Sequence, residues 1–231
     1  MAIEAVTFDV TGTLIHCPRM PEIYAEVLGR HGASVSAEEV AHHFPIVWKE
    51  LDCLVPSGVD RFSQHPEGAR GWWCRLLERL CELLEAPAPS KFAAAELFNR
   101  FARAEAWDVF PEVPEVLAAL GARGCRLGVV ANWDSRLPGL LEDLGLLDSF
   151  DTVVFSSALG IAKPNPEVFV HVMEELAVDP AAAAHIGDSR IEDIEGAIAA
   201  GMTGLHLDRD SRREDAVADL REAVAILERR S

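Results

Sequence analysis

The sequence predicts a doubly wound α/β core, built on a parallel sheet and interrupted by an all-helical insert. Three observations carry that expectation. Five short apolar runs punctuate the 231-residue chain, at about 3–8, 126–131, 152–156, 184–187 and 204–207. From the second run onward, helical patterns with recognisable ends separate them, and such alternation implies parallel strands joined by right-handed crossovers. The interval between the first two runs is too long for one crossover, and residues 16–108 within it hold several amphipathic helices and no convincing strand. Residues 1–15 and 109–231 are therefore expected to form the core, and 16–108 a helical cap domain inserted at the C-terminal edge of the sheet.

Each element has its own justification. Residues 20–31 put Ile23, Val27 and Leu28 on one helical face. Ser36-Ala37-Glu38-Glu39 fits a capping box, in which serine and glutamate each satisfy the other's free backbone N–H. The stretch from Pro56 to Gly71 reads as a loop. Trp73, Leu76, Leu77, Leu80 and Leu84 then recur at helical spacing, and Ser90 opens a helix carrying Leu97, Phe98 and Phe101. Residues 113–123 form the crossover helix back into the core. Ser135 is placed to cap a helix bearing Leu137, Leu140, Leu141 and Leu144, closed by Gly145. Asn165 caps the next, with Pro166 at its first position, where a missing N–H costs nothing. Ser189 opens a third, with Ile191, Ile194 and Ile198 expected inward and Gly201 at its end. In the last segment, 214–229, Val217, Leu220, Val224 and Leu227 share one face.

Composition narrows the function classes. With 49% hydrophobic residues the chain can bury one full core and a smaller module. No apolar run approaches the roughly 18 residues of a membrane span. The first strand begins close to Met1, which leaves no room for a targeting peptide, so a cytoplasmic location is expected. Cys17, Cys53, Cys74, Cys81 and Cys125 are odd in number and lack metal-ligand spacing, which fits reduced thiols. Net charge is −17, from 38 acidic and 21 basic residues, and no basic stripe is present to neutralise nucleic-acid phosphates. The densest basic cluster, Arg209 to Arg213, is interrupted by acids. So negative a surface repels anionic substrates, and a site that handles one needs a local cation or a bound metal.

Four widely spaced segments supply such a site. The first strand ends in Asp9-Val10-Thr11-Gly12-Thr13, the second in Asn132, and Lys163-Pro164-Asn165 precedes a helix. The fourth strand runs into Gly187-Asp188, with Asp193 five residues on. Taken singly, each is an ordinary strand end, loop charge or helix cap. Together they place chemistry where open α/β sheets put it, at the strand C-termini. Asp9 is the candidate nucleophile, since a carboxylate can attack phosphorus and divide one displacement into two. Thr13 and the backbone N–H groups of Val10, Thr11 and Gly12 can cradle phosphoryl oxygens. Asn132 adds neutral hydrogen bonds, and Lys163 adds a charge that neutralises both Asp9 and the transferring group. Asp9 and Asp188 are hard oxygen ligands suited to Mg²⁺, with Asp193 orienting metal-bound water from behind.

This set resembles the haloacid dehalogenase superfamily, whose members run Asp-x-Asp-x-Thr, then Thr or Ser, then Lys, then Gly-Asp-x-x-x-x-Asp. Asp9, Thr13, Asn132, Lys163, Gly187, Asp188 and Asp193 match. The resemblance implies a Rossmann-like core, identifies the helical insert as a C1 cap, and assigns metal binding to the Thr11 backbone carbonyl. Trp72-Trp73 and Ala131-Asn132-Trp133-Asp134 resemble one branch of it. Asn132 departs from the usual hydroxyl but can still donate to a phosphoryl oxygen. Thr11 departs more seriously, because family phosphatases carry a general acid/base there, worth about 10²–10⁴-fold. The expected function is Mg²⁺-dependent hydrolysis of a small phosphorylated substrate through an aspartyl phosphate, slow on alkyl monoesters. Two alternatives stand beside it. One is a catalytically impaired phosphate-binding or scaffold protein, to which Thr11 points. The other is a 2-haloacid dehalogenase, in which Asp9 attacks carbon without metal; Asp188 argues against it.

Overall fold

The computed structural model describes residues 2–210 and 216–230. Strand β1 (Ala5–Phe8) is followed by a turn and the two-residue β2 (Ile15–His16). Four helices come next: α1 (Met20–Arg30), α2 (Ala37–Asp52), α3 (Gly68–Leu83) and α4 (Lys91–Arg100). After β3 (Asp108–Val109) come α5 (Val113–Ala122), β4 (Arg126–Ala131), α6 (Leu137–Asp143), β5 (Thr152–Phe155), α7 (Ser156–Leu159) and α8 (Pro166–Leu176). β6 (Ala183–Gly187) leads into one π-helical turn, Arg190–Glu195, which continues as α9 (Gly196–Ala199). β7 (Thr203–His206) and α10 (Leu220–Arg230) complete the order.

Two compact units result. The first takes Met1–His16, Ser57–Val59 and Val109–Ser231, and the second Cys17–Pro56 and Asp60–Asp108. Residues 57–59, expected within the insert, group with the first unit because Val59 bridges Ile161 and Gly58 O accepts from Ala162 N at 3.0 Å.

In the first unit the sheet order is β5-β4-β1-β6-β7, and the four pairings are all parallel. β1 lies at the centre, with Phe8 opposite Val129 on one side and Ile186 on the other. A strand covered on both faces is apolar nearly throughout, and all four residues of β1 and all five of β6 are buried. α8 packs on β4 and β5, closing Val168, Phe169, Val172 and Met173 over Val130 and Val154. Each such side chain contributes about 1.5–3 kcal/mol when fully buried. α5 and α10 pack on one another, the latter through a face that buries Leu220, Ala223, Val224 and Leu227. Val217, expected on that helix, instead lies before it and bridges Leu207. Residues 214 and 215, and Arg212 and Arg213 of the basic cluster, fall outside the described residues.

Helix ends follow the sequence with instructive exceptions. Asn165 Oδ1 accepts from Glu167 N at 3.0 Å, with Pro166 in the first turn. Ser189 Oγ accepts from Glu192 N at 3.2 Å. Ser135 does not cap α6, which has no side-chain cap; Asp134 instead accepts from Arg136 N, just before the helix, at 3.1 Å and pairs with its guanidinium at 2.7 Å. Ile191 and Ile198 are exposed rather than inward. The π turn explains this: Ile194 N reaches back to Ser189 O, and the extra residue rotates Asp193 and Ala197 into the core in their place.

The second unit is wholly helical apart from its boundary residue Asp108. Ser36 Oγ accepts from Glu39 N at 3.2 Å and Glu39 Oε2 accepts from Ser36 N at 2.8 Å, completing the expected box. Ser90 Oγ caps α4 through Ala93 N at 3.1 Å. Ile23, Val27, Leu28, Val40, Leu76 and Leu80 centre its core. Trp72, not Trp73, is the more buried of that pair, and α3 starts at Gly68, inside the stretch expected to be loop.

Candidate active site

Parallel pairing brings the C-termini of β4, β1 and β6 side by side, and the predicted residues meet there. Asp9 N donates to Ile186 O at 3.0 Å, which extends the ladder by one residue and fixes the carboxylate just beyond β1. Lys163 Nζ donates to Asp9 Oδ1 at 2.7 Å and to Asp193 Oδ1 at 2.5 Å, with all three side chains buried. Carboxylate oxygens of Asp9, Asp188 and Asp193 lie within 4.8 Å of one another. Gly12 stands at φ +86°, and a Cβ there would fall 2.2 Å from Asp188 Oδ2, so the turn admits only glycine beside that carboxylate. Gly187 is as constrained, its Cβ position being 2.2 Å from Asp193 Cγ.

A family model for haloacid dehalogenase-like hydrolases matches residues 3–201. The chain belongs to that family. It is 31% identical over 223 residues to "Haloacid dehalogenase-like hydrolase domain-containing protein 3" of Mus musculus, covering 95% of this chain and 87% of the relative. Solved structures of a HAD phosphatase from Thermococcus onnurineus and a 2-haloacid dehalogenase from Pseudomonas syringae pv. Tomato DC3000 are each 26% identical. The first has a TM-score of 0.66, covering 97% of this chain and 98% of its own, and the second 0.67, covering 99% and 100%. Phosphatase and dehalogenase thus share this fold equally well, and the chemistry must be read from the site.

Charge is unevenly balanced in this hydrolase site. Burial works against the Lys163 ammonium, but Asp193 and Asp9 outweigh it and raise its pKa above the ordinary lysine value. Burial would likewise raise Asp193, yet Lys163 and the His185 ring hold it well below the usual carboxylate range. Asp9 is raised by burial and by Asp193, which Lys163 only partly offsets. Asp188 is pushed up to about 7 by partial removal of its carboxyl from water and by the charges of Asp9 and Asp193. Asp188 is itself exposed, and the charges of Asp9 and Asp193 act on it across the site. Three acids against one lysine leave an excess of hard anionic oxygen. That donor set fits Mg²⁺, with Asp9 and Asp188 as the available ligands, because both Asp193 oxygens already accept, from Lys163 Nζ and from Ser189 N at 2.8 Å.

The remaining expectations divide. Thr13 Oγ1 is buried with no hydrogen-bond partner, as a hydroxyl awaiting an anion would be. The Val10 backbone N–H favours the ionised Asp9 carboxylate. Gly12 N, expected to face phosphoryl oxygens, donates to Ile15 O at 2.8 Å and is spent inside the turn. Asn132 is also partly spent: Oδ1 accepts from Lys163 N at 2.8 Å and Nδ2 donates to Lys163 O at 3.0 Å. An amide nitrogen carries two hydrogens, so one remains for the site while the side chain clamps the lysine backbone. Thr11 Oγ1 accepts from Trp133 Nε1 at 3.0 Å, a contact the sequence did not signal.

Arg209 was missed as well. It donates to Gly12 O at 3.0 Å and Thr13 O at 2.6 Å, pairs with Glu112 at 2.7 Å, and lies 3.4 Å over the Phe110 ring. It holds the turn after Asp9 through two backbone carbonyls. In the sequence it stood out only as the first arginine of the acid-interrupted basic cluster after the last strand.

Proposed function

We propose that this hydrolase is a Mg²⁺-dependent phosphohydrolase of small phosphorylated molecules. The observation that carries it is the Lys163 ammonium 2.7 Å from Asp9, with the Asp188 carboxylate close enough to share a cation. An ionised Asp9 oxygen attacks phosphorus, and the bond from phosphorus to the leaving oxygen breaks, giving an aspartyl phosphate. Water then attacks that phosphorus, phosphate departs, and the Asp9 carboxylate is restored. Lys163 neutralises nucleophile and phosphoryl group together, while Thr13 Oγ1 and the second Asn132 N–H donate to phosphoryl oxygens. Asp9, Asp188 and the Thr11 carbonyl would hold the metal, which supplies positive charge against the phosphoryl group. Thr11 cannot protonate a leaving alkoxide, because a hydroxyl pKa lies far above neutrality. Good leaving groups are therefore favoured.

Purified protein with Mg²⁺ is expected to hydrolyse acetyl phosphate and p-nitrophenyl phosphate well and alkyl sugar phosphates poorly, with Asp9→Asn abolishing turnover of all three. Equal activity on the sugar phosphates contradicts the role given to Thr11. Metal-independent halide release from a 2-haloacid replaces the phosphatase with the dehalogenase. Thr11 also favours a second reading, a protein that binds phosphate without turnover. Beryllium fluoride trapped at Asp9 with Mg²⁺, but no product from any ester, would establish it.

A further inference from the structure

Two buried polar side chains have no part in the mechanism above. Thr7 and His185 are both 0% exposed and face each other in the β1–β6 register. They interrupt strands that are otherwise apolar, so their partners need accounting for. Thr7 Oγ1 and His185 Nδ1 are 2.8 Å apart, and His185 Nε2 is 3.3 Å from Asp193 Oδ1. The same Asp193 oxygen accepts from Lys163 Nζ at 2.5 Å, and Lys163 reaches Asp9 at 2.7 Å.

Charge decides where the hydrogens sit. Asp193 is held ionised by Lys163, so its oxygen can only accept. The ring must therefore offer N–H at Nε2. Burial keeps the imidazole neutral, which leaves a lone pair at Nδ1 and makes the Thr7 hydroxyl its donor. The other acceptor within reach of that hydroxyl, Ala184 O, is farther away at 3.4 Å. Phe169 packs edge-on against the imidazole, with ring centroids 5.0 Å apart, and confines it. One directed line results: Thr7 to His185, His185 to Asp193, and Lys163 joining Asp193 to Asp9.

We propose that His185, backed by Thr7, is a positioning residue: by donating from Nε2 to Asp193 it fixes that carboxylate and, through it, the Lys163 ammonium against Asp9. The inference deepens the phosphohydrolase reading and rests on it for its kinetic consequence. With Mg²⁺ and p-nitrophenyl phosphate, His185→Leu is expected to lower kcat on the order of tenfold with little change in KM. His185→Gln, which returns an N–H near the Nε2 position, recovers most of that loss. His185→Asn, whose amide falls nearer Nδ1, does not.

Two readouts need no turnover. Long-range ¹H–¹⁵N NMR of the wild-type protein should show His185 as the Nε2–H tautomer. The Lys163 ammonium resonance, slow to exchange because it is buried, should broaden in His185→Leu and sharpen again in His185→Gln. If no phosphate ester is hydrolysed but these signals behave as stated, the phosphatase reading fails and the positioning role survives. An Nδ1–H tautomer in the wild type overturns the proposal even if no variant folds, and so does identical behaviour of the leucine and glutamine variants.

Discussion

On the phosphohydrolase reading, Thr11 and Trp133 set the terms on which leaving groups are released. The indole N–H occupies the Thr11 hydroxyl at 3.0 Å. A carboxyl introduced by Thr11→Asp would inherit that donor, and a hydrogen bond to the charged form favours ionisation, the wrong state for a general acid. Thr11→Asp alone is therefore expected to raise alkyl phosphatase kcat only modestly. Combined with Trp133→Phe it should gain about tenfold more, within the 10²–10⁴-fold range of general acid catalysis; sugar-phosphate turnover of the two variants measures the difference. At Gly187 the constraint is space, since a methyl group would meet the Asp193 carboxylate 2.2 Å away. Gly187→Ala should lower stability by about 1–3 kcal/mol in denaturant unfolding and displace the Asp193–Lys163 pair with it. Asp9, Lys163 and Asp188 were legible as a set, because together they compose a phosphoryl-transfer pattern that none of them carries alone. Thr7 and His185 were not. A threonine and a histidine inside buried runs look like packing until register sets them face to face.

Short elements around the sheet do more than connect strands. The tip after β4 holds Lys163 through Asn132, Thr11 through Trp133, and Arg136 through Asp134, three consecutive residues with three different partners. The strand itself was plain from its apolar run, but the partners of its tip depend on which loops come near, and no local pattern encodes that. The π turn shows the opposite failure. Ile191, Ile194 and Ile198 suit an ordinary helical period, and one residue's worth of extra winding exposes the first and last of them. It also turns Asp193 inward, consistent with the tendency of such bulges to occur at functional sites. Caps were more readable, because their chemistry is local. Ser90→Ala removes the hydrogen bond to Ala93 N at 3.1 Å; it should cost about 1 kcal/mol of stability, seen in thermal unfolding, and leave kcat unchanged.

Across the whole molecule, a net charge of −17 and a concentrated acidic site mean that a metal bound as proposed would compete with protons. Asp188 titrates near 3.8 in an unfolded chain and at about 7 here. Between those values the folded state holds more protons than the unfolded one, so its stability falls as pH rises through the window. Asp9, also raised, acts in the same direction. Asp193 is lowered and Lys163 raised, so both titrate outside this range, whereas His185, lowered by burial, works against the slope where an unfolded imidazole takes up a proton. Metal-free protein should therefore lose stability from this group as pH rises between about pH 5 and pH 7. Added Mg²⁺ should stabilise more at the higher pH, where it displaces no proton. Unfolding scans in EDTA and in Mg²⁺ across that range test both.

The sheet order has a consequence for synthesis. β1 leaves the ribosome first, yet its two partners begin at Arg126 and Ala183. A nascent chain ending near residue 180 carries Asp9 after a strand with one bare edge, and bare edges invite foreign pairing. Contacts so distant in sequence also form slowly. The interval between synthesis of β4 and of β6 is thus the one in which this protein most needs shielding, and products truncated within it should be found aggregated or degraded rather than partly active.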